Sequence, residues 1–187
     1  MTDTGTLPHV VALSAADFTA TVPALGDLLV DTVGSGASVG FLASLDPGAA
    51  RAWWTARRPA VADGSLRVWV AYDAAGLAGT VSLAASPMPN GAHRGEIVKL
   101  MVHPRARGRG LARALLATAE AAAALAGMSL LLLDTETDSP AEHLYRSAGW
   151  TRYGTVEDYA ADPYGVLRSC SFYSKRLDPG GGAGTGR

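Results

Sequence analysis

One stretch of fifteen residues constrains the fold more than any other part of the chain. It begins with an apolar segment, 98–102, continues through a basic turn, and enters a helix-forming segment that starts at Gly110. Gly108 and Gly110 have no side chains, so their backbone can approach a ligand closely, and a helix N-terminus presents unpaired N–H groups with a partial positive charge. A strand that leads through such a turn into a helix predicts a pyrophosphate site. Four arginines add positive charge to it: Arg105, Arg107, Arg109 and Arg113.

Two other phosphate-binding motifs also place a glycine pair after a strand. A P-loop needs Gly-Lys-Ser/Thr at the end of the turn, and this turn has no such triplet. The dinucleotide fingerprint fits better, because Asp134 ends a strand roughly 20 residues beyond the turn, but Arg113 occupies its third glycine position. The turn also follows a predicted antiparallel meander in mid-chain instead of the first strand of a parallel sheet. The sequence therefore disfavours both motifs.

The composition predicts a single folded domain over 1–178, followed by a disordered glycine-rich tail over 179–187. Hydrophobic residues make up 48% of the chain and charged residues 18%, which is enough apolar surface for a core. The net charge of −1 gives no general attraction to nucleic acid or to an anionic membrane surface. We find no secretory signal and no apolar run that would span a membrane, so the expected location is the cytoplasm.

Metal binding and disulfide formation are not expected from this sequence. Cys170 is the only cysteine, which excludes an internal disulfide and a cysteine-based zinc cluster. Its strand position favours a small, half-buried residue. No two histidines have metal-ligand spacing, and His103 and His143 are predicted to be surface residues.

The pattern of apolar residues predicts an α/β fold with a mixed, mostly antiparallel sheet of about seven strands and about four helices. Three strands form an antiparallel meander before the turn, and the apolar run after the next helix predicts a central strand parallel to the last of them. The predicted strands cover 9–13, 66–72, 77–84, 96–102, 129–134, 155–160 and 166–177. The predicted helices cover 14–33, 46–62, 110–126 and 139–149.

Two helices carry more specific expectations. Ser139, Pro140 and Glu142 have the order of an N-cap, a first-turn proline and the glutamate of a capping box. The helix after the turn is rich in alanine, which permits close contact with the sheet. Its predicted apolar stripe consists of Leu111, Leu115, Ala119, Ala122 and Leu125.

The segment Arg105-x-x-Gly108-x-Gly110-Leu111-Ala112 resembles the acyl-CoA pyrophosphate motif of the Gcn5-related N-acetyltransferase (GNAT) superfamily, Gln/Arg-x-x-Gly-x-Gly/Ala after a strand and a proline turn. The resemblance implies a sheet that splays open at two parallel strands, with acetyl-CoA as co-substrate in the split. It places the Leu100 N–H near the thioester oxygen and the Val102 backbone beside the pantetheine. The residues implied to contact acetyl-CoA are Leu100, Met101, Val102, Arg105, Arg107, Gly108, Arg109, Gly110, Leu111, Ala112 and Arg113.

A narrower resemblance, to the tabtoxin-resistance acetyltransferases, rests on several separate stretches. These are Gly36-Ala37-Ser38-Val39-Gly40-Phe41, Lys99-Leu100-Met101-Val102, Leu133-Asp134-Thr135-Glu136 and Asp162-Pro163-Tyr164-Gly165-Val166-Leu167, followed by Tyr173 and Lys175. Enzymes of that group inactivate a β-lactam amino-acid toxin, so the resemblance implies a small-molecule amine as acceptor and a role in antibiotic resistance.

Three residues are the candidates for acid–base chemistry. Glu96 stands where the superfamily resemblance places a general base, and it would deprotonate an ammonium through water. Asp134 ends an apolar strand where two parallel strands would splay, and the narrower resemblance implies that it flanks the substrate amine together with Glu96. Whether Asp134 accepts a proton or only anchors the amine stays open. Tyr145 matches the superfamily's proton donor to the leaving thiolate, although its spacing also suits a core face.

The predicted function is direct transfer of an acetyl group from acetyl-CoA to a primary amine of a small molecule, by a monomer or homodimer that needs no metal. Cys170 lies in a late strand away from the phosphate turn, so an acetyl-cysteine intermediate has no support. Trp53, Trp54, Trp69 and Trp150 are predicted to be mostly core, with one of them free to line an acceptor pocket, and the glycine-rich segment 34–40 could close over the acceptor. Two alternatives are a protein N-acetyltransferase and a non-catalytic acyl-CoA-binding module.

Overall fold

The computed structural model describes residues 9–178, so the predicted tail over 179–187 lies outside the described residues. The strands are β1 (Val10–Ala12), β2 (Leu66–Asp73), β3 (Gly76–Ala85), β4 (Arg94–Val102), β5 (Leu130–Glu136), β6 (Thr151–Ala161) and β7 (Leu167–Arg176). The helices are α1 (Ala15–Gly34), α2 (Pro47–Thr55), α3 (Arg58–Ala62), α4 (Leu111–Leu125) and α5 (Pro140–Ser147). No helix within 9–178 is both long and apolar enough to cross a membrane.

The seven strands form one mixed sheet in the order β1-β2-β3-β4-β5-β7-β6. Only β4 and β5 run parallel, and the other neighbours are antiparallel. The helix α4 connects the parallel pair, as a crossover connection requires. The predicted fold class is confirmed, including the meander and the position of the parallel pair.

The predicted helix over 46–62 is wrong in one respect, because the structure divides it into α2 and α3. Asp46 caps the start of α2 by accepting a hydrogen bond from the Ala49 N–H at 2.9 Å. Pro59 then follows four residues after Thr55, and a proline has no N–H to give to that carbonyl. The helix therefore ends at Thr55 and a short one begins at Arg58. This division gives five helices where about four were predicted.

The sheet has a separate hydrophobic core on each face. The first core lies between the sheet and helices α4 and α5, and it contains Leu115, Leu131, Leu133 and Tyr173. The second core lies between the meander and helices α1 and α2, and its largest side chain is Trp54, which is fully buried. Residues that alternate along β4 and β5 therefore point towards opposite cores.

Two details of helix packing correct the sequence analysis. The buried stripe of α4 runs through Ala123, and Leu125 is 88% exposed because it lies in the final turn, beyond the edge of the core. The capping box of α5 does not form, although the helix begins at Pro140 as predicted. Instead of bonding the Ser139 N–H, the Glu142 carboxylate accepts hydrogen bonds from the Asp138 N–H at 2.9 Å and the Tyr173 hydroxyl at 2.6 Å.

Candidate active site

The parallel strands β4 and β5 separate shortly after they pair. Their ladder consists of Arg94 opposite Leu130, Gly95 opposite Leu131, and Glu96 opposite Leu132. Beyond Glu96 and Leu132 both strands continue without pairing to each other, so their unpaired backbone groups face a gap. This gap is called the split below, and Glu96 lies at the point where it opens.

A β-bulge in β4 shapes the wall of the split. The register with β3 pairs Ser82 with Val98 and Thr80 with Met101, so that Lys99 and Leu100 have no partner on β3. Lys99 adopts a positive φ of 53°, in the left-handed region that costs a side-chain-bearing residue about 1 kcal/mol. The bulge rotates the backbone of β4 at the level of the split. Leu100, whose N–H is a candidate thioester ligand, is half-buried at this bulge.

The predicted phosphate turn lies between β4 and α4. Gly110 is the N-cap of α4 with a φ of 76°, and Gly108 has a φ of 75°, so both adopt the left-handed conformation that glycine tolerates best. A Cβ at either position would meet no atom within 4 Å, so backbone conformation and not space demands glycine there. The first N–H groups of α4 receive no side-chain cap and point out of the helix end.

The four arginines near the turn have different surroundings. Arg105 pairs with Asp73 at 3.2 Å and donates to the Leu77 carbonyl at 2.9 Å. Arg107 donates to the Ser35 hydroxyl at 2.8 Å, and Arg113 donates to Ser147. Arg105 and Arg109 also line an open cavity of about 260 Å³ beside the hairpin turn of β2 and β3. Three of the four therefore brace the turn in addition to contributing charge.

His103 differs from the surface residue that the sequence suggested. Its Nδ1 accepts a hydrogen bond from the Arg105 N–H at 3.1 Å, and its Nε2 lies 3.1 Å from a carboxylate oxygen of Asp31. The side chain is only 21% exposed, and it joins the turn to α1. His143 is exposed, as predicted.

Two of the residues expected to contact acetyl-CoA can do so only through their backbone. The Met101 side chain is packed in the second core and the Leu111 side chain in the first core, with 2% and 5% exposure. Val102 and Ala112 are half-buried at the two ends of the turn.

The candidate acid–base residues Glu96, Asp134 and Tyr145 converge on the split. Leu131 and Leu133 point into the first core, so Asp134 points to the opposite face of β5, the face that Glu96 also occupies on β4. Partial burial raises the pKa of Glu96, and the negative charge of Asp134 raises it further. Glu96 also lines a cleft of about 130 Å³ together with Arg94 and Leu132. The two carboxylates thus flank the opening of the split.

Tyr145 reaches the same place from the other core. Its ring is 94% buried, with the Trp150 ring centre 6.1 Å away and the Tyr173 ring centre 6.2 Å away. Burial raises the pKa of its phenol, and the charge of Asp134 adds to that rise. Within residues 9–178 the only enclosed polar side-chain atom without a partner is Ser82 Oγ, so the Tyr145 oxygen is not fully enclosed. The phenol is protonated at neutral pH.

Cys170 is buried in β7, but the sequence analysis missed its contact with Asp134. Its Sγ donates a hydrogen bond to Asp134 Oδ2 at 3.4 Å. Burial and the charge of Asp134 raise the pKa of the Cys170 thiol to about 12, so it is a neutral donor and a poor nucleophile. The contact arises because β7 lies between β5 and β6, an order that strand patterns do not reveal.

Aromatic side chains on the same face were also missed. Phe172 lies opposite Asp134 in the β5–β7 ladder, and the Tyr159 ring packs edge-on against it at 5.1 Å. The charges of Asp134 and Glu96 raise the pKa of the Tyr159 phenol, which places it near both carboxylates. Trp53 is the half-buried tryptophan, and Trp54, Trp69 and Trp150 are core residues. No group of three or more metal-ligating side chains occurs in the part of the chain that the structure describes.

A comparison with protein families matches residues 64–152 to the acetyltransferase (GNAT) domain. That range contains the meander, the bulge, the phosphate turn and the split. The fold and the site together define an acyltransferase with a GNAT fold. Residues 64–152 are therefore similar to an acetyltransferase (GNAT) domain, and the described chain has the fold of the GNAT acetyltransferases.

Solved structures support the fold over nearly the whole chain. A Gcn5-related N-acetyltransferase from Kribbella flavida is 26% identical with a TM-score of 0.71, covering 90% of this chain and 98% of that one. A ribosomal-protein-alanine N-acetyltransferase from Brucella melitensis is 24% identical with a TM-score of 0.72, covering 90% and 99%. A phosphinothricin acetyltransferase from Sinorhizobium meliloti, in complex with acetyl-CoA, is 17% identical with a TM-score of 0.77, covering 92% and 89%.

Proposed function

We propose that this protein acetylates the primary amine of a small molecule by direct transfer from acetyl-CoA, with Glu96, Asp134 and Tyr145 at the reacting groups. The amine nitrogen attacks the thioester carbonyl carbon, and the carbon–sulfur bond breaks. The ammonium first loses one proton to the base, the nitrogen loses a second proton as the amide forms, and one proton joins the coenzyme A thiolate, so that one proton is released overall. The observation that carries the proposal is the convergence of two carboxylates and one phenol on the split, with the charge of Asp134 acting on both of the others.

Glu96 is suited to remove the proton from the ammonium, through a water molecule in the cleft that it lines. A base works best when its pKa approaches the working pH, and both partial burial and Asp134 move the pKa of Glu96 in that direction. Asp134 supplies a second negative charge on the same face, which favours binding of a cation. In this assignment Asp134 anchors the ammonium and Glu96 accepts the proton.

Tyr145 is suited to give a proton to the thiolate as it leaves. Its raised pKa keeps the phenol protonated, and the packing of its ring against Trp150 and Tyr173 fixes its direction. A positioned proton donor contributes roughly 10²- to 10⁴-fold to the rate of such a step. The departing thiolate needs a proton, and the Tyr145 phenol is the proposed source of it.

Acetyl-CoA, the acetyl donor, is held by backbone groups of the turn and the bulge. The left-handed Gly108 and Gly110 leave the α4 N-terminus open to the pyrophosphate, and Arg105, Arg107, Arg109 and Arg113 surround it with positive charge. The unpaired Leu100 at the bulge is the candidate donor of a hydrogen bond to the thioester oxygen.

The 35–46 connection, which bridges to the β6–β7 turn, favours a small acceptor. The connection between α1 and α2, residues 35–46, crosses to the β6–β7 turn, where the Ala43 N–H donates to the Pro163 carbonyl at 2.8 Å. In the proposed arrangement this bridge restricts the space that an extended peptide segment would need. Glu96 and Asp134 next to the Phe172 and Tyr159 rings suit an amine with an apolar or ring-containing body. The resemblance to tabtoxin-resistance enzymes makes a β-lactam amino acid one acceptor to test.

The test measures thiol release from acetyl-CoA with a panel of small amines, which includes β-lactam amino acids, alongside lysine-containing and N-terminal peptides. We expect turnover with at least one small amine and a higher kcat/KM for it than for any peptide. Preference for a peptide would overturn the small-molecule assignment. If calorimetry shows acetyl-CoA binding but no amine releases thiol, the protein is a binding module, and if acetyl-CoA does not bind, the donor assignment fails.

A matched pair of glycine variants tests the donor site. Gly110 and Gly127 lie at the two ends of α4 with φ values of 76° and 79°, and an added Cβ would meet no atom within 4 Å at either. Gly110→Ala and Gly127→Ala therefore carry similar backbone strain. We expect only Gly110→Ala to weaken acetyl-CoA binding, by about tenfold, because only that end faces the pyrophosphate. Equal weakening in both variants would contradict the assigned phosphate turn.

A further inference from the structure

Lys99 joins two segments that are far apart in the sequence. Its Nζ donates a hydrogen bond at 2.8 Å to the carbonyl oxygen of Val39, which lies in the connection between α1 and α2. The same ammonium lies 5.6 Å from the centre of the Phe41 ring and 5.0 Å from the centre of the Trp53 ring. Contacts at these distances include a cation–π attraction. One side chain of β4 therefore contacts the 35–46 connection at two residues, Val39 and Phe41, and also contacts the helix that follows it.

The aromatic groups around Lys99 are anchored in the second core. The Phe41 ring packs edge-on against Trp53 at 5.4 Å, and Trp53 packs edge-on against Trp54 at 4.9 Å. Trp54 is fully buried, and its indole N–H donates to the Leu25 carbonyl at 3.1 Å. Lys99 is thus attached to a rigid support, and so is the part of the connection that it holds.

The backbone of Lys99 supplies an independent observation. Its φ of 53° lies in the left-handed region, where glycine or asparagine is the usual residue. The left-handed residue at the bulge carries a long cationic side chain, and that side chain reaches out of the strand to the connection. A strained position of this kind persists when its surroundings determine it, and such positions cluster at functional sites.

The 35–46 connection has a second attachment at the β6–β7 turn. There the Ala43 N–H donates to the Pro163 carbonyl, and the buried Asp162 holds that turn by accepting from the Tyr164 and Val166 N–H groups. At the start of the connection the Ser35 hydroxyl accepts from Arg107, and apart from the bond from Lys99 the other hydrogen bonds of the described connection are short-range, such as Leu45 N–H to the Leu42 carbonyl. Without Lys99, the segment containing Val39 and Phe41 would lose its hydrogen bond to the sheet and keep only its packing against the second core.

We propose that Lys99 is a positioning residue that fixes the 35–46 connection over the acceptor side of the split, so that acceptor binding depends on it and acetyl-CoA binding does not. The assignment of an acceptor side rests on the proposed function. Lys99 is suited to this task because it lies in the bulge of β4, from which its side chain reaches the connection.

Hydrogen exchange tests whether Lys99 attaches the 35–46 connection to the sheet, and this test needs no knowledge of the acceptor. Lys99→Met keeps most of the apolar stem and removes the ammonium, and Lys99→Asn keeps a residue that tolerates the left-handed conformation. We expect backbone amides of the 35–46 connection to exchange about tenfold faster in both, because a charged hydrogen bond is lost. Lys99→Arg retains a cationic donor and should stay within about threefold of wild type. Amides of the phosphate turn should not change.

The other lysine of the chain provides a matched control. Lys175 is also half-buried, and its Nζ donates to Glu120 at 2.6 Å and to the Ala148 carbonyl at 2.8 Å. Lys175→Met should lower global stability and leave exchange of the 35–46 connection unchanged. If Lys99→Met fails to fold, the comparison of Lys99→Asn with Lys99→Arg carries the test. Unchanged exchange of the connection in every folded Lys99 variant would overturn the proposal.

Kinetics then separate positioning from direct contact. With any acceptor that wild type uses, Lys99→Met should raise the acceptor KM by about tenfold and leave the acetyl-CoA KM within about twofold, and Lys99→Arg should restore the acceptor KM. A raised acceptor KM with unchanged exchange would mean that Lys99 contacts the acceptor itself, and the proposal that Lys99 positions the 35–46 connection would be wrong. If wild type acetylates no amine, the proposed function fails. The exchange result still decides whether Lys99 attaches the 35–46 connection.

Discussion

Glu96 in strand β4 and Glu142 in helix α5 have opposite environments. Glu142 is 2% exposed, and its carboxylate accepts hydrogen bonds from Tyr173 and the Asp138 N–H and pairs with Arg146 at 3.1 Å. Burial would raise its pKa, but these donors outweigh burial and lower the pKa to about 2. Glu96 lines an open cleft beside a second carboxylate, and its pKa is raised by partial burial and by Asp134.

The difference shows what separates a structural carboxylate from a reactive one. A carboxylate that is saturated with donors stays ionised over the whole physiological range and cannot exchange a proton there. A carboxylate that is partly desolvated, close to a like charge and short of donors holds its proton more tightly. Burial alone therefore does not identify a functional acid, and the supply of hydrogen-bond donors decides the direction of the pKa shift.

The two buried tyrosines extend this comparison and give the largest expected effect. Tyr173 donates to Glu142, whereas Tyr145 is the proposed proton donor and its oxygen is not fully enclosed. We expect Tyr145→Phe to lower kcat by about 10³-fold with little change in the acetyl-CoA KM, because a proton donor to the thiolate is lost. Tyr173→Phe should lower stability and keep kcat within about threefold of wild type. Steady-state thiol release measures both, and equal losses of kcat would contradict the assigned roles.

Replacing Glu142, whose carboxylate already accepts several hydrogen bonds, should affect stability and leave the reaction unchanged. Glu142→Gln takes away the charge that faces Arg146 and Arg152, and we expect the free energy of unfolding to fall by about 3 kcal/mol. Urea denaturation measures this change. A folded variant should keep the wild-type pH dependence of kcat/KM, and loss of that dependence would mean that Glu142 takes part in the reaction.

The same residue predicts a pH dependence of stability. Because its pKa is lowered from 4.5 to about 2, Glu142 contributes stability above pH 4.5 that is lost as the pH falls towards 2. The expected contribution is about 3 kcal/mol by linkage. Urea midpoints of wild type between pH 5 and pH 2 should therefore decline more steeply than those of Glu142→Gln. Parallel declines would show that other carboxylates dominate acid unfolding.

Glu96→Gln should show the reverse pattern, with chemistry affected and stability preserved. We expect kcat/KM for the acceptor to fall by about 10²-fold. In wild type, kcat/KM should rise with pH through the pKa of Glu96, which is higher than that of an ordinary glutamate, and the variant should lack this acidic limb. An acidic limb that persists in Glu96→Gln and disappears in Asp134→Asn would assign the proton transfer to Asp134.

The smallest expected effect concerns the orientation of Asp134. Cys170→Ala removes the thiol that donates to the Asp134 carboxylate, and Cys170→Ser keeps a donor at that position. We expect Cys170→Ala to raise the acceptor KM by about threefold, with no effect on the acetyl-CoA KM, and Cys170→Ser to be closer to wild type. Loss of all activity in Cys170→Ala would instead revive a covalent role for the thiol.

Much of the fold could be predicted because its signals are local. The hairpin of β2 and β3, the start of α1 at Ser14 and the glycine turn before α4 each depend on residues within a few positions of one another. The Ser14 hydroxyl does accept from the Asp17 N–H at 3.1 Å. The prediction for 46–62 was wrong because the helical residue pattern continues through Pro59, whereas the helix ends at Thr55. The prediction for Leu125 was wrong because the apolar pattern continues beyond the edge of the core.

The candidate site divides in the same way. Glu96, Asp134 and Tyr145 could be selected from sequence because each lies at a recognisable place relative to the turn or to a strand end. Cys170 and Tyr159 could not, because they reach Asp134 only through the position of β7 between β5 and β6. Lys99 had no signal of its function, since its partner at Val39 is sixty positions away.

The sequence by itself determined the elements, their order, the parallel pair at the centre and the phosphate turn, because these follow from residue periodicity, glycine conformations and helix ends. Only the tertiary structure decided the direction in which the pKa of each carboxylate is shifted. A glutamate at the start of a helix and a glutamate in a strand carry the same chemical group, and their proton affinities are set by burial, donors and neighbouring charges. Those come from segments far apart along the chain, so they are fixed only when the sheet is assembled.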